Sequence, residues 1–281
     1  ADNSKLRAMQ YEWSADNWLS QDLTFFSEHI TNSGIRSTAW AQNPDNQFLC
    51  LLENGTIAAL TYERGENIFG WHKHDVGNEI KDIATARVDG KDLMMALVNR
   101  QPGKLYLELI PIDKPLVFMD SWIEKTLVPP TATIDGLDHL EGREVQVLID
   151  GAVHPDRTVV GGIIELDYPA GFVQIGLPFS AKVQTLPLQV ETETGTSKPY
   201  MKRFHKMYVE FISSANPLIN GNRQPTRFPE TPMNVVQPAR SGVSEVAQLG
   251  WEKYTIITIE QDLPLPLTIV SIYGELGRDI L

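Results

Sequence analysis

Two histidines, His72 and His74, stand two residues apart in the run Ile68-Phe69-Gly70-Trp71-His72-Lys73-His74. On a β-strand that spacing points both imidazoles to one face, and two such rings can share a metal ion. A third ligand is missing locally. Asp75 or Glu79 would serve only if the following turn folds back, so the pair reads first as a solvated strand face. A second concentration of polar groups is Asp135-Gly136-Leu137-Asp138-His139-Leu140-Glu141-Gly142, with three carboxylates and a histidine. Calcium loops need oxygen ligands in a longer fixed pattern, and Leu137 and Leu140 interrupt this one as core anchors do. It therefore reads as a turn with a partly buried short element.

Other reactive constellations are missing. The sequence holds no Gly-x-Ser-x-Gly elbow, no His-Glu-x-x-His pair and no phosphate loop. Its single cysteine, Cys50, lies in the apolar run Phe48-Leu49-Cys50-Leu51-Leu52 and reads as a buried small hydrophobe, without an intrachain disulfide or a cysteine metal cluster. Paired carboxylates for sugar hydrolysis are a matter of three-dimensional separation, because Asp and Glu fall on many candidate strands. Trp13, Trp18, Trp40, Trp71, Trp122 and Trp251 suit stacking on sugars, but scattered tryptophans more often anchor cores and interfaces. No catalytic, cofactor-binding or metal-binding residue is assigned, and no cofactor is expected.

The elements that carry these residues are mostly strands. Among 281 residues, 42% are apolar, enough for real cores, while 20 Gly and 18 Pro cut the chain into apolar runs of strand length. No run approaches the roughly 18 apolar residues of a membrane-spanning helix. With 24 Lys+Arg against 36 Asp+Glu the net charge is −12, which disfavours gripping nucleic acid, since phosphate affinity rests on cationic side chains. The sequence begins at Ala1 rather than Met and reads as a portion of a longer protein.

One helical pattern stands out, from Ser20 to Ile30, where Leu19, Leu23, Phe26 and Ile30 recur at helical spacing, Ser20 caps and Gly34 stops. From Ile35 the period becomes two. Strands over Ser37–Ala41, Phe48–Leu52, Thr56–Tyr62 and Ile68–His74 follow, with Glu53-Asn54-Gly55 as a tight hairpin turn. A second set, Ile80–Arg87, Leu93–Arg100 and Leu105–Ile110, begins about 43 residues after the first, the spacing of β-propeller blades. So small a number of blades leaves a ring open, since closure usually takes at least about four, which agrees with a missing upstream part. A plain meander is the alternative.

Pro129-Pro130 marks a boundary, after which strands over Glu144–Ile149, Thr158–Val160, Ile163–Leu166, Phe172–Ile175 and Ala181–Leu186 suit a small barrel or sandwich. Residues 1–130 are thus read as an incomplete propeller-like domain, 131–199 as the small barrel or sandwich, and 200–281 as a C-terminal β segment packing back on the first domain. In that segment, Phe204–Ile212 alternates with His205, Met207, Val209 and Phe211 on one face, and strands over Tyr254–Ile259 and Leu267–Tyr273 follow. A proline-rich stretch from Asn216 to Arg240 reads as a mobile loop that orders on assembly. The expected fold class is all-β and mainly antiparallel, with one short helix near the N-terminus.

Several strings resemble the tail nozzle proteins of short-tailed bacteriophages, also called tail tubular protein B. They are Asp22-Leu23-Thr24 with Ser27-Glu28-His29-Ile30, Asn54-Gly55-Thr56-Ile57 running to Thr61-Tyr62, and Gly70-Trp71-His72-Lys73-His74. Further on come Gly136 to Gly142, Asp150-Gly151, Gly176-Leu177-Pro178-Phe179 and Leu263-Pro264-Leu265-Pro266-Leu267-Thr268. Asn54 departs from the family's usual Asp, and Gly65 from a longer polar residue. The resemblance implies a virion structural protein, made in the host bacterial cytoplasm, that forms a homohexameric ring beside other tail proteins and conducts DNA without reading its sequence. It implies no catalytic set. A carbohydrate- or receptor-binding β module and, behind it, a glycan-cleaving enzyme are the competing readings.

Overall fold

The computed structural model describes all residues except 1–2, 44–45, 111–116, 190, 193–194, 226–235, 237, 247–249 and 279–281. The fold is all-β with antiparallel sheets. It divides into two compact units, Ala1–Pro115 and Leu116–Leu281. Among the described residues no helix is long and apolar enough to cross a membrane.

The first unit opens with a hairpin of β1 (Arg7–Glu12) and β2 (Asn17–Asp22). The helix expected over Ser20–Ile30 is therefore corrected. Residues 17–22 spend their backbone groups on β1, and Asp22 Oδ1 then accepts from both Thr24 N (2.8 Å) and Thr24 Oγ1 (2.6 Å), turning the chain. Only α1 (Glu28–Thr31) is helical in this stretch, and Ser27 at its start makes no side-chain cap bond.

Next come β3 (Ile35–Ala41), β4 (Gln47–Leu52), β5 (Ile57–Glu63) and β6 (Ile68–His74), paired in that order as a meander. The Asn54-Gly55 turn forms as its residues require: Gly55 has φ +80°, and Asn54 Oδ1 accepts from Thr56 N and Oγ1 at 3.1 and 2.8 Å. A three-stranded meander follows, β7 (Ile80–Val88), β8 (Lys91–Gln101) and β9 (Lys104–Ile110). The two sheets stack through a core that mixes Leu49, Leu51, Ile57 and Ala59 with Ile80, Met94, Ala96 and Val98. The opposite face of the β3–β6 sheet carries Cys50, Leu52 and Ala58, packed against Leu6, Ile30, Phe48 and Trp71. Burial pushes the Cys50 thiol up to about 12 and leaves it an inert core group.

The second unit begins with β10 (Asp120–Ile134), which runs straight through Pro129-Pro130. The division between units thus falls upstream of the proline pair. Prolines lack the amide donor, and the ladder with the partner strand breaks here, between Thr126↔Phe172 and Thr131↔Ala170. After a 3-10 turn at Asp138–Leu140 come β11 (Glu144–Ile149), β12 (Ala152–Thr158) and β13 (Ile164–Leu177), in the sheet order β10-β13-β11-β12. The strands expected at 163–166 and 172–175 are one long strand, with Tyr168-Pro169-Ala170-Gly171 an irregularity inside it. Ile134, Leu137, Leu140, Val145, Val147, Val173 and Ile175 belong to its core.

The remaining strands are β14 (Ala181–Gln184), β15 (Glu191–Thr192), β16 (Gly195–Thr196), β17 (Lys202–Ser214), β18 (Leu218–Ile219), β19 (Asn222–Arg223), β20 (Arg240–Val246), β21 (Thr258–Gln261) and β22 (Ile269–Arg278). They form the sheets β20-β17-β22, β14-β21-β18-β19 and β15-β16. β14 thereby joins a sheet with C-terminal strands rather than that of β10–β13. In β17, Met207, Val209 and Phe211 are buried as the alternation requires. His205 is exposed and Phe204 buried instead, because the register shifts between Phe204 and Lys206 and flips the faces. Of the proline-rich stretch, residues 226–235 and 237 lie outside the described residues; its ends are β18, β19 and the start of β20.

Candidate functional site

His72 and His74 sit on β6, on the face that also holds Ala59 and Ile57 of β5, their cross-strand partners. Their rings approach to 4.8 Å between centroids at 70°. Burial holds His74 down at about 4, with help from the neighbouring His72, and His72 is lowered by burial too. His74 Nε2 is buried with no hydrogen-bond partner among the described residues. The two carboxylates that would serve only if the turn folded back are engaged elsewhere: Asp75 accepts from Gly77 N (2.9 Å) and Glu79 pairs with Lys81 (2.5 Å). No group of three or more His, Cys, Asp or Glu able to hold a metal occurs among the described residues. What the sequence placed together on one strand face is a pair of neutral, half-buried imidazoles.

The Asp135–Gly142 cluster is likewise spread over separate structural contacts. Lys125 Nζ donates to the Asp135 carboxylate (2.5 Å) and holds it below the usual carboxylate range. Glu141 accepts from Gly161 N (2.9 Å) and Gly162 N (2.7 Å), which lowers its carboxyl as well. His139 Nε2 lies 3.0 Å from the Ser121 carbonyl. Leu137 and Leu140 are buried at 0% and 1% exposure, as core anchors. Asp135 and Glu141 are thus each held by partners of their own.

Buried polar groups that the sequence did not single out stand elsewhere. Lys202 is 2% exposed, and its Nζ donates to the carbonyls of Ser197 (3.0 Å), Tyr200 (3.2 Å) and Lys253 (2.9 Å). Burial lowers it, and Lys253 adds to the effect. Arg100 donates through Nε and Nη2 to Glu108 at 2.7 and 2.6 Å and through Nη1 to the Val76 carbonyl at 2.6 Å, tying β8, β9 and the segment after β6. His154 Nδ1 donates to the Pro155 carbonyl (2.8 Å), and its Nε2 lies 3.1 Å from the Asp167 carboxylate and 3.2 Å from Asp167 N. Each is consumed in holding backbone. A period-two pattern treats a charge in a strand as outward-facing, and only the surrounding carbonyls show why Lys202 is not.

The surfaces are more informative than the titratable groups. On β8, Asp92, Met94, Ala96, Val98 and Arg100 alternate inward. The other face carries Leu93, Met95 and Leu97, and the register sets Leu107 opposite Leu97 and Leu109 opposite Met95. Leu105, Leu107 and Leu109 are 53%, 67% and 59% exposed. The outer face of this sheet is thus as apolar as its inner one, and β9 is its edge. On the far side of the stack, a groove of about 660 Å³ is walled by Phe25, Phe26, Tyr62 and Phe69. Gln21, Arg64 and Asn67 line it, together with one carboxylate among the described residues, Asp22, which Thr24 and Lys5 already engage. Neither protein-family models nor curated proteins match the chain.

Proposed function

We propose that the chain is a structural protein of a bacteriophage tail, of the nozzle kind, whose copies form a ring that conducts DNA. The observation that carries this reading is the leucine face of β7–β9. Antiparallel sheets whose outer face meets water alternate apolar and polar positions, whereas this one is apolar on both faces and asks to be covered. The strings that resemble tail nozzle proteins support the same reading, and a homohexamer beside other tail proteins in the virion is the assembly that resemblance implies. The charge of −12 suits a conduit, because carboxylates along a lumen repel phosphate and let DNA slide, where a basic lining would hold it through released counterions. Electron microscopy of the assembled protein tests this. Rings with a predominantly acidic lumen are expected, and a lining dominated by Lys and Arg refutes the conducting role.

A carbohydrate-binding module is the second reading, favoured by the groove of Phe25, Phe26, Tyr62 and Phe69. A glycan array discriminates: saturable binding lost in Phe69→Ala would favour it over the ring. Glycan cleavage stands further back, since hydrolysis needs two carboxylates flanking the bond and the described residues lining this groove supply one.

A further inference from the structure

We infer that His72 and His74 form an acid-operated release for the end of the edge strand β6: neutral imidazoles seat it against the core, and protonated ones free the chain from His72 to Asp75. This goes beyond the ring reading and does not depend on it. The inward positions of the β3–β6 sheet are aliphatic on three strands, with Ala39 and Ala41 on β3, Leu49 and Leu51 on β4, and Ile57 and Ala59 on β5. On β6 the positions opposite Ile57 and Ala59 are His74 and His72, and the next on that face is Gly70. Ionisable rings thus stand where the core asks for hydrocarbon. β6 is also the last strand of its sheet, paired with β5 only among the described residues, so its end lifts without breaking a second ladder.

The surroundings suit the neutral form. His74 Nε2 is buried without a hydrogen-bond partner among the described residues, so a proton added there meets no acceptor. The ring centroids are 4.8 Å apart, and two imidazolium charges so close repel. Burial lowers both imidazoles and His72 lowers His74 further, with no carboxylate raising either. The carboxylates on neighbouring elements are distant or already held. On the same face of β5, Glu63 lies opposite Ile68, about 13 Å along the strand from His72. The inward titratable side chains of the facing sheet are Arg87, Asp92, Arg100, Tyr106 and Glu108. Arg100 holds Glu108, and Asp92 accepts from Gln42 N (2.7 Å) and Asn43 N (2.9 Å). After the strand, Asp75 and Glu79 are taken by Gly77 and Lys81. On the outer side, α1 brings His29 and Glu28, which pairs with Lys5, and β6 itself adds Lys73.

Two ties bound the piece that moves. Trp71 Nε1 donates to the Leu23 carbonyl (2.8 Å) and its ring packs with Cys50, Leu52 and Ala58, while Arg100 Nη1 holds the Val76 carbonyl (2.6 Å). Between these ties the chain lifts and the imidazoles reach water. The edge of β5 at Ile57-Ala58-Ala59, wholly buried while β6 is seated, is then bared as a template for pairing.

Below the ordinary imidazole value of 6.5 the released chain binds a proton that the seated His74 refuses down to about 4, so release is favoured as pH falls through that window. The test is hydrogen exchange of the full chain at about pH 7 and about pH 4.5, with rates corrected for their intrinsic pH dependence. It compares the wild type with the double variant His72→Leu/His74→Leu and with His74→Leu alone, the fold of each checked by circular dichroism. In the wild type, protection of the protected amides among residues 57–59 and 72–75 should fall roughly 30-fold on acidification while β8 and β9 keep theirs. The double variant should hold its protection at both pH values, and the single variant should lose less than the wild type. An equal loss over β4, β8 and β9 is unfolding of the whole unit and overturns the release. The same local loss in the leucine variants, or undiminished protection in the wild type, overturns it as well.

Discussion

Acidification acts on this protein through His74. Its imidazole ordinarily takes a proton near 6.5, whereas in the folded chain burial and the adjacent His72 hold it down at about 4. Between those values the unfolded chain binds a proton that the folded chain refuses, so stability falls as pH falls. At about 1.4 kcal/mol per pH unit the displacement is worth at most about 3 kcal/mol, and partial solvent access trims it to about 2 kcal/mol. His72, also lowered by burial, adds with the same sign. Carboxylates held low, such as Asp92 and Glu141, lose their contribution only as pH falls through their own lower range, so the window from about pH 7 to 4.5 belongs mainly to the histidines. The perturbation is His74→Leu, read by urea denaturation with tryptophan fluorescence at both pH values. Near neutrality the variant should match or slightly exceed the wild type, because the buried Nε2 it removes has no partner among the described residues. At pH 4.5 it should be the more stable by about 2 kcal/mol. An identical loss of stability on acidification in both proteins would show that His74 is not held neutral by its surroundings, and the reasoning would fail.

Two further expectations concern the first unit. Arg100→Met strands the half-buried Glu108 carboxylate and the Val76 carbonyl, and should cost about 3–5 kcal/mol in chemical denaturation; pairing it with Glu108→Leu should recover much of the loss, and a purely additive double variant would mean the pair is not coupled. Gly55→Ala forces a Cβ to 2.7 Å from Glu79 Cγ at a backbone φ of +80°, so a melting point lower by several degrees is expected, whereas an unchanged one would mean the turn relaxes freely.

Much of the strand content was legible in residue order alone. Period-two runs bounded by Gly, Pro and Asn gave β4 through β9 to within a few residues, because hairpins are local: turn and both strands lie within about 20 residues. Asn54-Gly55 could hardly be anything but a turn, and Leu137 and Leu140 declared themselves core anchors by interrupting an acidic cluster. Long-range pairing decided the rest. Residues 17–22 carry a helical pattern yet are drawn into a strand by β1, and a single bulge in β17 exchanges the places of Phe204 and His205. Spacing put His72 and His74 side by side, but whether Asp75 and Glu79 could complete a metal site depended on partners, Gly77 and Lys81, that took them instead. Least visible beforehand was the leucine face. The alternation in Leu105, Leu107 and Leu109 says only that they share a side; that this side is the uncovered one follows from which face of β8 packs on the neighbouring sheet, a choice made by the stacked core and recorded nowhere in the order of the residues.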